Sequence, residues 1–392
     1  MWGDIAIAFM IAFVTAFMAT PHTIRLAKKL GAVDTPEDER RINKVTMPRL
    51  GGLAVILGFF VSIIYLLVVM TIENKIDLQY DNYEIKLLGF ALGALIIGIT
   101  CFIDDVKGVP ALVKLSAQIL AAIVVVRFGI RIDNLDLPLF NFENAGNIFY
   151  TILTIGWIVG ITNAINLIDG LDGLSTGISL ISCLSLLIIF SLNNSPVISI
   201  VLITALAGAL CGFLPYNFNP AKTFIGDTGS NFLGYCLSII SIIGIAKTYT
   251  AIVIVAPLMV LALPIFDTLF AIIRRLIHGK SLKAIVMPDA EHLHHKMLKM
   301  GFTQKQAVLI MYGISATFGM FAVILMDSGI WKALSFALII ILAVAMGYKE
   351  FFKQKLLENV SEENDNENTK INGQMEIEEN NNIIDFKSKK NA

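Results

Sequence analysis

The chain has 392 residues, 56% hydrophobic and 16% charged, with a net charge of −1 and a mean hydropathy of +0.74. A soluble domain carries about 25% charged residues, so an ordinary water-soluble fold is excluded, and the near-zero net charge gives no footing for nucleic-acid binding. The apolar residues come in blocks of roughly 17–24, the length that crosses a bilayer as a helix, and lack the alternation of a transmembrane β-barrel.

These blocks predict an all-α polytopic membrane protein with eleven spans, at 3–24, 51–71, 87–103, 111–127, 148–166, 174–192, 197–215, 229–246, 250–273, 306–326 and 331–349. The first block is too long, and lacks the basic leader, to be a cleaved signal peptide. With eleven spans the loops alternate between two sides. One side, with the adjoining Lys114, carries seventeen Lys and Arg residues and the other six. The positive-inside rule makes the richer side cytoplasmic, with the N-terminus outside and the C-terminus inside. Residues 351–392 are rich in Asn, Glu and Lys and poor in aromatics, a composition that predicts a disordered cytoplasmic tail. Cys101, Cys183, Cys211 and Cys236 fall inside or at the ends of spans and lack metal-ligand spacing, so they read as small core residues.

The polar residues at the cytoplasmic ends of the spans carry the chemistry, since ionisable groups at membrane depth are costly and mark sites. The first cytoplasmic loop ends in Pro48-Arg49-Leu50-Gly51-Gly52, whose glycines allow a bend or a close approach. Asp104-Asp105 closes the third span. Asn163, Asn166 and Asp169 are three residues apart and cover about 120° of one helix face; Gly170 and Gly173 predict that the helix ends near Gly170 and that the Gly-Leu-Asp-Gly turn, with Leu171 and Asp172, folds over the site. Phe224-Ile225-Gly226-Asp227-Thr228-Gly229-Ser230 precedes the eighth span. Asp227, Thr228 and Ser230 could cap that helix, but capping leaves the paired glycines unexplained. Asp267, in the ninth span, is expected to pair with Arg274 seven residues on. Asp289-Ala-Glu-His292-Leu-His294-His295-Lys296 gathers three of the five histidines. Without a nearby Cys or a His-Glu-x-x-His pattern, phosphate contact or proton handling is favoured over zinc. All these groups fall on the predicted cytoplasmic side, and carboxylates converging there suit Mg²⁺, which keeps waters and bridges to phosphate.

Taken together, Asp104-Asp105, Asn163-x-x-Asn-x-x-Asp-Gly-Leu-Asp-Gly, Phe224-x-Gly-Asp-Thr-Gly-Ser and His292-x-His-His resemble the polyprenyl-phosphate N-acetylhexosamine-1-phosphate transferases, glycosyltransferase family 4, over roughly residues 1–350. Pro48-Arg49-Leu50-Gly51-Gly52, the eleven expected spans and Asp289-x-x-His-x-His-His resemble the N-acetylglucosamine-1-phosphate branch more than the phospho-N-acetylmuramoyl-pentapeptide branch. Lys296 stands where that branch often has Arg, and Asn43 where relatives often have His. The resemblance implies a catalytic membrane domain over 1–350 that transfers N-acetylglucosamine-1-phosphate from a UDP-sugar to undecaprenyl phosphate with Mg²⁺ or Mn²⁺, releasing UMP. It implies catalytic roles for Asp104, Asp105, Asp169 and His294, and metal binding by Asp227 and Asp104. Lys44, Lys114, Asn163, Asn166, Asn217, His292 and His295 would contact substrate, and Gly170, Leu171, Asp172 and Phe224 would cradle the uracil. The expected partners are the UDP-sugar, the polyprenyl phosphate lipid and the bilayer of a bacterial plasma membrane, with a homodimer as the candidate assembly. An ion-coupled transporter is the alternative of a different class, disfavoured because the polar groups gather at one face instead of the midplane.

Overall fold

In the computed structural model, described for residues 2–35, 46–73, 80–132, 136–137, 140–141, 146–245, 251–279 and 292–344, the apolar blocks are helices. In chain order these are α1 (Trp2–Leu30), α2 (Gly52–Ile72), α3 (Tyr83–Lys107), α4 (Ala111–Arg127), α5 (Asn147–Ile168), α6 (Leu174–Leu192) and α7 (Val197–Asn217), then α8 (Gly226–Ile245), α9 (Ala251–Val260), α10 (Ala262–Gly279), α11 (Leu293–Lys299) and α12 (Gln304–Ser328). The chain divides into two units, Met1–Ile330 and Trp331–Ala392. The described part of the second, residues 331–344, belongs to the apolar helix α13 (Ile330–Val344). The predicted tail, Lys44, Asn43 and Asp289 lie outside the described residues.

Among the described residues seven helices, α1, α2, α3, α5, α6, α7 and α12, are long and apolar enough to cross a membrane. The other four expected spans are also helical over most of their described residues, and one of them is interrupted. α4 has 17 residues, α8 opens on Gly-Asp-Thr-Gly-Ser-Asn, and α13 ends at Val344 within the described residues. The span expected over 250–273 is two helices with a break at Leu261. Pro264 explains the break: it has no N–H to donate, and its ring collides with the carbonyl four residues back, Val260. The chain bridges the gap with Leu261 N–H donating to the Pro257 carbonyl and Ile265 N–H to the Leu261 carbonyl.

α7, the most buried of these seven helices, packs against α1, α2, α6 and α8. Lipid tails are as apolar as leucine, so helices in a bilayer associate through close backbone contact at small residues. Here Ala8, Ala12 and Ala16 form a buried stripe on α1. Gly208 and Gly212 of α7 are seated on the Phe9 and Phe13 carbonyls of that helix, and Gly58 of α2 lies against Ala12 and Ala16. The Ser62 hydroxyl of α2 donates to the Ala8 carbonyl at 2.7 Å. Large apolar side chains such as Ile7, Met10, Leu57, Ile64, Leu95 and Ile152 remain exposed, as a lipid-facing surface requires.

Candidate active site

The loop before α2, the α3–α4, α5–α6 and α7–α8 connections and α11 meet at one end of the helices. α8 starts where α3 ends. The two oxygens of Asp105 accept from the backbone N–H groups of Asp227 (3.0 Å) and Thr228 (2.9 Å), and from the Thr228 hydroxyl (2.6 Å). The sequence offers Asp227, Thr228 and Ser230 as caps for α8; the cap comes instead from a carboxylate on another helix. It satisfies the orphan donors of a helix N-terminus and fixes where Asp227 points.

The paired glycines are explained by the segment that ends in Pro48-Arg49-Leu50-Gly51-Gly52. Phe224 N–H donates to the Pro48 carbonyl, while Gly51 and Gly52 N–H donate to the carbonyls of Phe224 and Ile225, at 2.8–3.0 Å. A Cβ on Gly52 would strike the backbone of Gly229, and one on Gly226, whose φ is +71°, would strike the Arg49 carbonyl. Only glycine permits this crossing. It brings the Arg49 guanidinium to 3.6 Å from Asp105 and 3.8 Å from Asp227.

Lys114, at the start of α4, bridges the two other acids. Its Nζ lies 2.7 Å from Asp104 Oδ2 and 3.1 Å from Asp227 Oδ2. The second Asp104 oxygen accepts from Val109 N–H at 2.6 Å. One turn further along α4, the buried Gln118 accepts from Asn163 Nδ2 (2.6 Å) and donates to Asn231 Oδ1 (2.8 Å); Asn231 then donates to the Asp227 carbonyl (2.9 Å). A directed chain of amides therefore ties α5 and α4 to the acidic turn of α8.

α5 ends at Ile168, with Asp169 as its cap residue, as the glycines predict. The Ser230 hydroxyl donates to Asn166 Oδ1 at 2.7 Å, and the Ser175 hydroxyl donates to Asp169 Oδ1 at 2.6 Å. Burial pushes the Asp169 pKa up to about 7; the Ser175 hydrogen bond pulls it down, and the charges of Asp227 and Asp105 add to the rise. Asp172 Oδ2 accepts from Asn219 Nδ2 (3.0 Å) and Ala221 N–H (3.1 Å), while its Oδ1 is buried without a partner. Leu171 packs with Ile168, Leu174 and Met297. Tyr312 of α12 donates to the Gly173 carbonyl, pinning the end of the turn. Asn217 is 2% exposed; it accepts from Thr176 and donates to the Thr223 carbonyl, so it braces the 218–225 loop from within. Phe224 is half-buried, with its backbone committed to the ladder just described.

The histidines arrive on α11. His294 is buried and packs against Gly170, where a Cβ would meet its Nε2. Its Nδ1 has no hydrogen-bond partner. Burial, helped by the neighbouring His295, lowers its pKa to about 4, so the ring is neutral near pH 7. The His295 ring lies 4.2 Å from that of His294. Asp267 is not held by Arg274 as the sequence predicts. Its Oδ2 is 2.8 Å from His292 Nδ1 and its Oδ1 accepts from Leu293 N–H at 2.9 Å. Sequence reading therefore missed Arg49, Gln118, Asn231, Asp267 and Tyr312 as site residues. Of these, Arg49 lay within a segment it singled out, and Asp267 was singled out with a different partner.

The site thus has a carboxylate pair, Asp104 and Asp227, held together by a lysine, with Asp169 close enough to feel the charge of Asp227. Among the described residues no three His, Cys, Asp or Glu side chains enclose a metal ion. Two carboxylates nevertheless fit Mg²⁺, which is commonly bound by one or two acids and completed by water and phosphate oxygens.

Residues 87–245, which contain the acidic and amide segments, match Glycosyl transferase family 4. A probable undecaprenyl-phosphate N-acetylglucosaminyl 1-phosphate transferase of Bacillus subtilis (strain 168) is 38% identical over 86% of this chain and 89% of its own length. The chain belongs to glycosyl transferase family 4. A decaprenyl-phosphate N-acetylglucosaminephosphotransferase of Mycobacterium tuberculosis is 33% identical over 79% of each chain. A phospho-N-acetylmuramoyl-pentapeptide-transferase of Staphylococcus epidermidis is 32% identical over 59% of this chain and 74% of its own.

Proposed function

We propose that the protein transfers N-acetylglucosamine-1-phosphate from UDP-N-acetylglucosamine to undecaprenyl phosphate, releasing UMP, at the cytoplasmic face of a bacterial plasma membrane. The reaction would be the first membrane step of a teichoic acid or another surface polysaccharide. The observation that carries this reading is the meeting of Asp104 and Asp227 on Lys114: fixed charges of both signs at a helix end suit the joining of two phosphates. N-acetylglucosamine is favoured over a muramoyl peptide because the relatives named for it align over more of the chain, 86% and 79% against 59%.

In the reaction, an oxygen of the lipid phosphate attacks the β-phosphorus of the UDP-sugar. A P–O bond forms to the lipid, the bond from the β-phosphorus to the bridging oxygen breaks, and UMP leaves with that oxygen and its electron pair. Lys114 and Arg49 supply preorganised positive charge where two anions must approach. Asp169, with a pKa of about 7, is matched to taking the remaining proton of the lipid phosphate near neutral pH. Asp105 is committed to holding α8 and so acts through the placement of Asp227. Asp172 Oδ1, a buried acceptor without a partner, is available to the uracil imide N–H. Mg²⁺ or Mn²⁺, held by Asp227 and Asp104, would neutralise charge on the diphosphate.

The test is UMP release by the purified protein from a panel of UDP-sugars, with and without undecaprenyl phosphate. UDP-N-acetylglucosamine should be the preferred donor, with release dependent on the lipid and on a divalent cation. Release from no UDP-sugar would instead favour an ion-coupled transporter.

A further inference from the structure

We propose that Asp267 is a positioning residue: it sets the rotation of α11 and fixes which nitrogen of His292 faces the donor. This rests on the transfer reaction above. α11 has seven residues and no cap from its own side chains. Its underside, Leu293, Met297 and Leu298, packs in the cluster that holds Ile168, Leu171 and Leu174. Apolar packing sets the height of the helix but leaves it free to turn. The Asp267 carboxylate removes that freedom by gripping two adjacent residues, His292 Nδ1 at 2.8 Å and Leu293 N–H at 2.9 Å. The grip is sheltered from water, with the Asp267 and His292 side chains 9% and 5% exposed. It is passed on by contact. The His292 ring lies parallel to that of His294 at 5.8 Å, and His294 packs against Gly170 of the acidic turn.

A carboxylate has no proton to give, so His292 Nδ1 carries the hydrogen and Nε2 alone is left for chemistry, as in other carboxylate–imidazole pairs. Asp267→Asn separates anchoring from this effect. Leu293 N–H is a fixed donor and keeps the amide oxygen. The amide NH₂ then faces His292 Nδ1, which must accept, and the proton moves to Nε2. α11 stays anchored while the tautomer reverses.

The experiment compares the full-length wild type with Asp267→Asn, and each with its His292→Gln counterpart. It measures lipid-dependent UMP release from UDP-N-acetylglucosamine and the ¹⁵N shifts of labelled histidine. Asp267→Asn should lower kcat/KM for the donor by about 10- to 100-fold, the usual cost of removing a carboxylate that orients a functional imidazole. It should move one histidine from the Nδ1–H to the Nε2–H tautomer, and should add little once His292 is Gln. Wild-type kinetics and unchanged ¹⁵N signals in Asp267→Asn, or equal losses with and without His292, would overturn the assignment. If the wild type turns over no UDP-sugar, the transfer reaction fails, and the ¹⁵N signals alone decide the role of Asp267.

Discussion

Replacing Asp105 separates two uses of neighbouring acids. Its carboxylate receives three hydrogen bonds from the first turn of α8. Asp105→Ala leaves two buried N–H groups and a hydroxyl without an acceptor. A buried donor left unsatisfied costs about 1–3 kcal/mol, so roughly 3–9 kcal/mol in sum, a large share of a total stability of about 5–15 kcal/mol. Asp105→Asn keeps one oxygen and turns an NH₂ toward one of the donors, for about 1.5–3 kcal/mol, the worth of a hydrogen bond to a charged group. Thr228→Val removes only the hydroxyl bond and strands no donor, so it should cost about 1.5 kcal/mol, the lower end of that range. It should cost nothing further in Asp105→Ala, since the two share one interaction. Thermal unfolding of the purified protein should rank wild type, Thr228→Val, Asp105→Asn and Asp105→Ala in falling order. Amide exchange at 227–230 should accelerate in the same order. An Asp105→Ala protein that melts with the wild type and keeps α8 amides protected would refute the capping role.

Three further outcomes follow from the geometry. Asp169 is protonated below its pKa of about 7 and ionised above it, so kcat/KM should rise with pH through that value. Ser175→Ala removes a hydrogen bond that lowers the pKa, so the limb should move to higher pH in the pH–rate profile. Gly52→Ala forces a methyl onto the Gly229 backbone and should cost about 1–3 kcal/mol by overpacking, whereas Gly98→Ala, with nothing within 4 Å, should stabilise α3 by about 0.5–1 kcal/mol; melting temperatures check both. Gln118→Leu breaks the amide chain and strands Asn231 Oδ1, a loss of about 1–3 kcal/mol. It should also lower turnover by loosening Lys114 one turn away.

The sequence exposed most of the site because charge is expensive inside apolar blocks. Asp104, Asp169 and Asp227 stood out on cost alone, and the glycines after Asp169 marked the end of α5 to within two residues. The missing parts are pairings across distance. Asp105 looks like a solvated helix end until α8 is seen on top of it. Asp267 had a plausible partner seven residues away, and its actual partner lies 25 residues on, in a segment with its own explanation. Gln118 carries no periodic signal; one amide in a helix is ordinary until Asn163 and Asn231 flank it. The split of the expected 250–273 span was legible in principle from Pro264, but an unbroken apolar run outweighed a single proline.

The most direct measurement of the central claim follows ³²P from the β-position of UDP-N-acetylglucosamine into lipid, in liposomes holding undecaprenyl phosphate and wild-type, Asp104→Asn or Asp227→Asn protein. The wild type should label the lipid only when a divalent cation is present, and each variant should be slower by about 100-fold or more, the scale of losing one electrostatic stabiliser. Labelling by Asp227→Asn at the wild-type rate, or none by the wild type, would contradict the account.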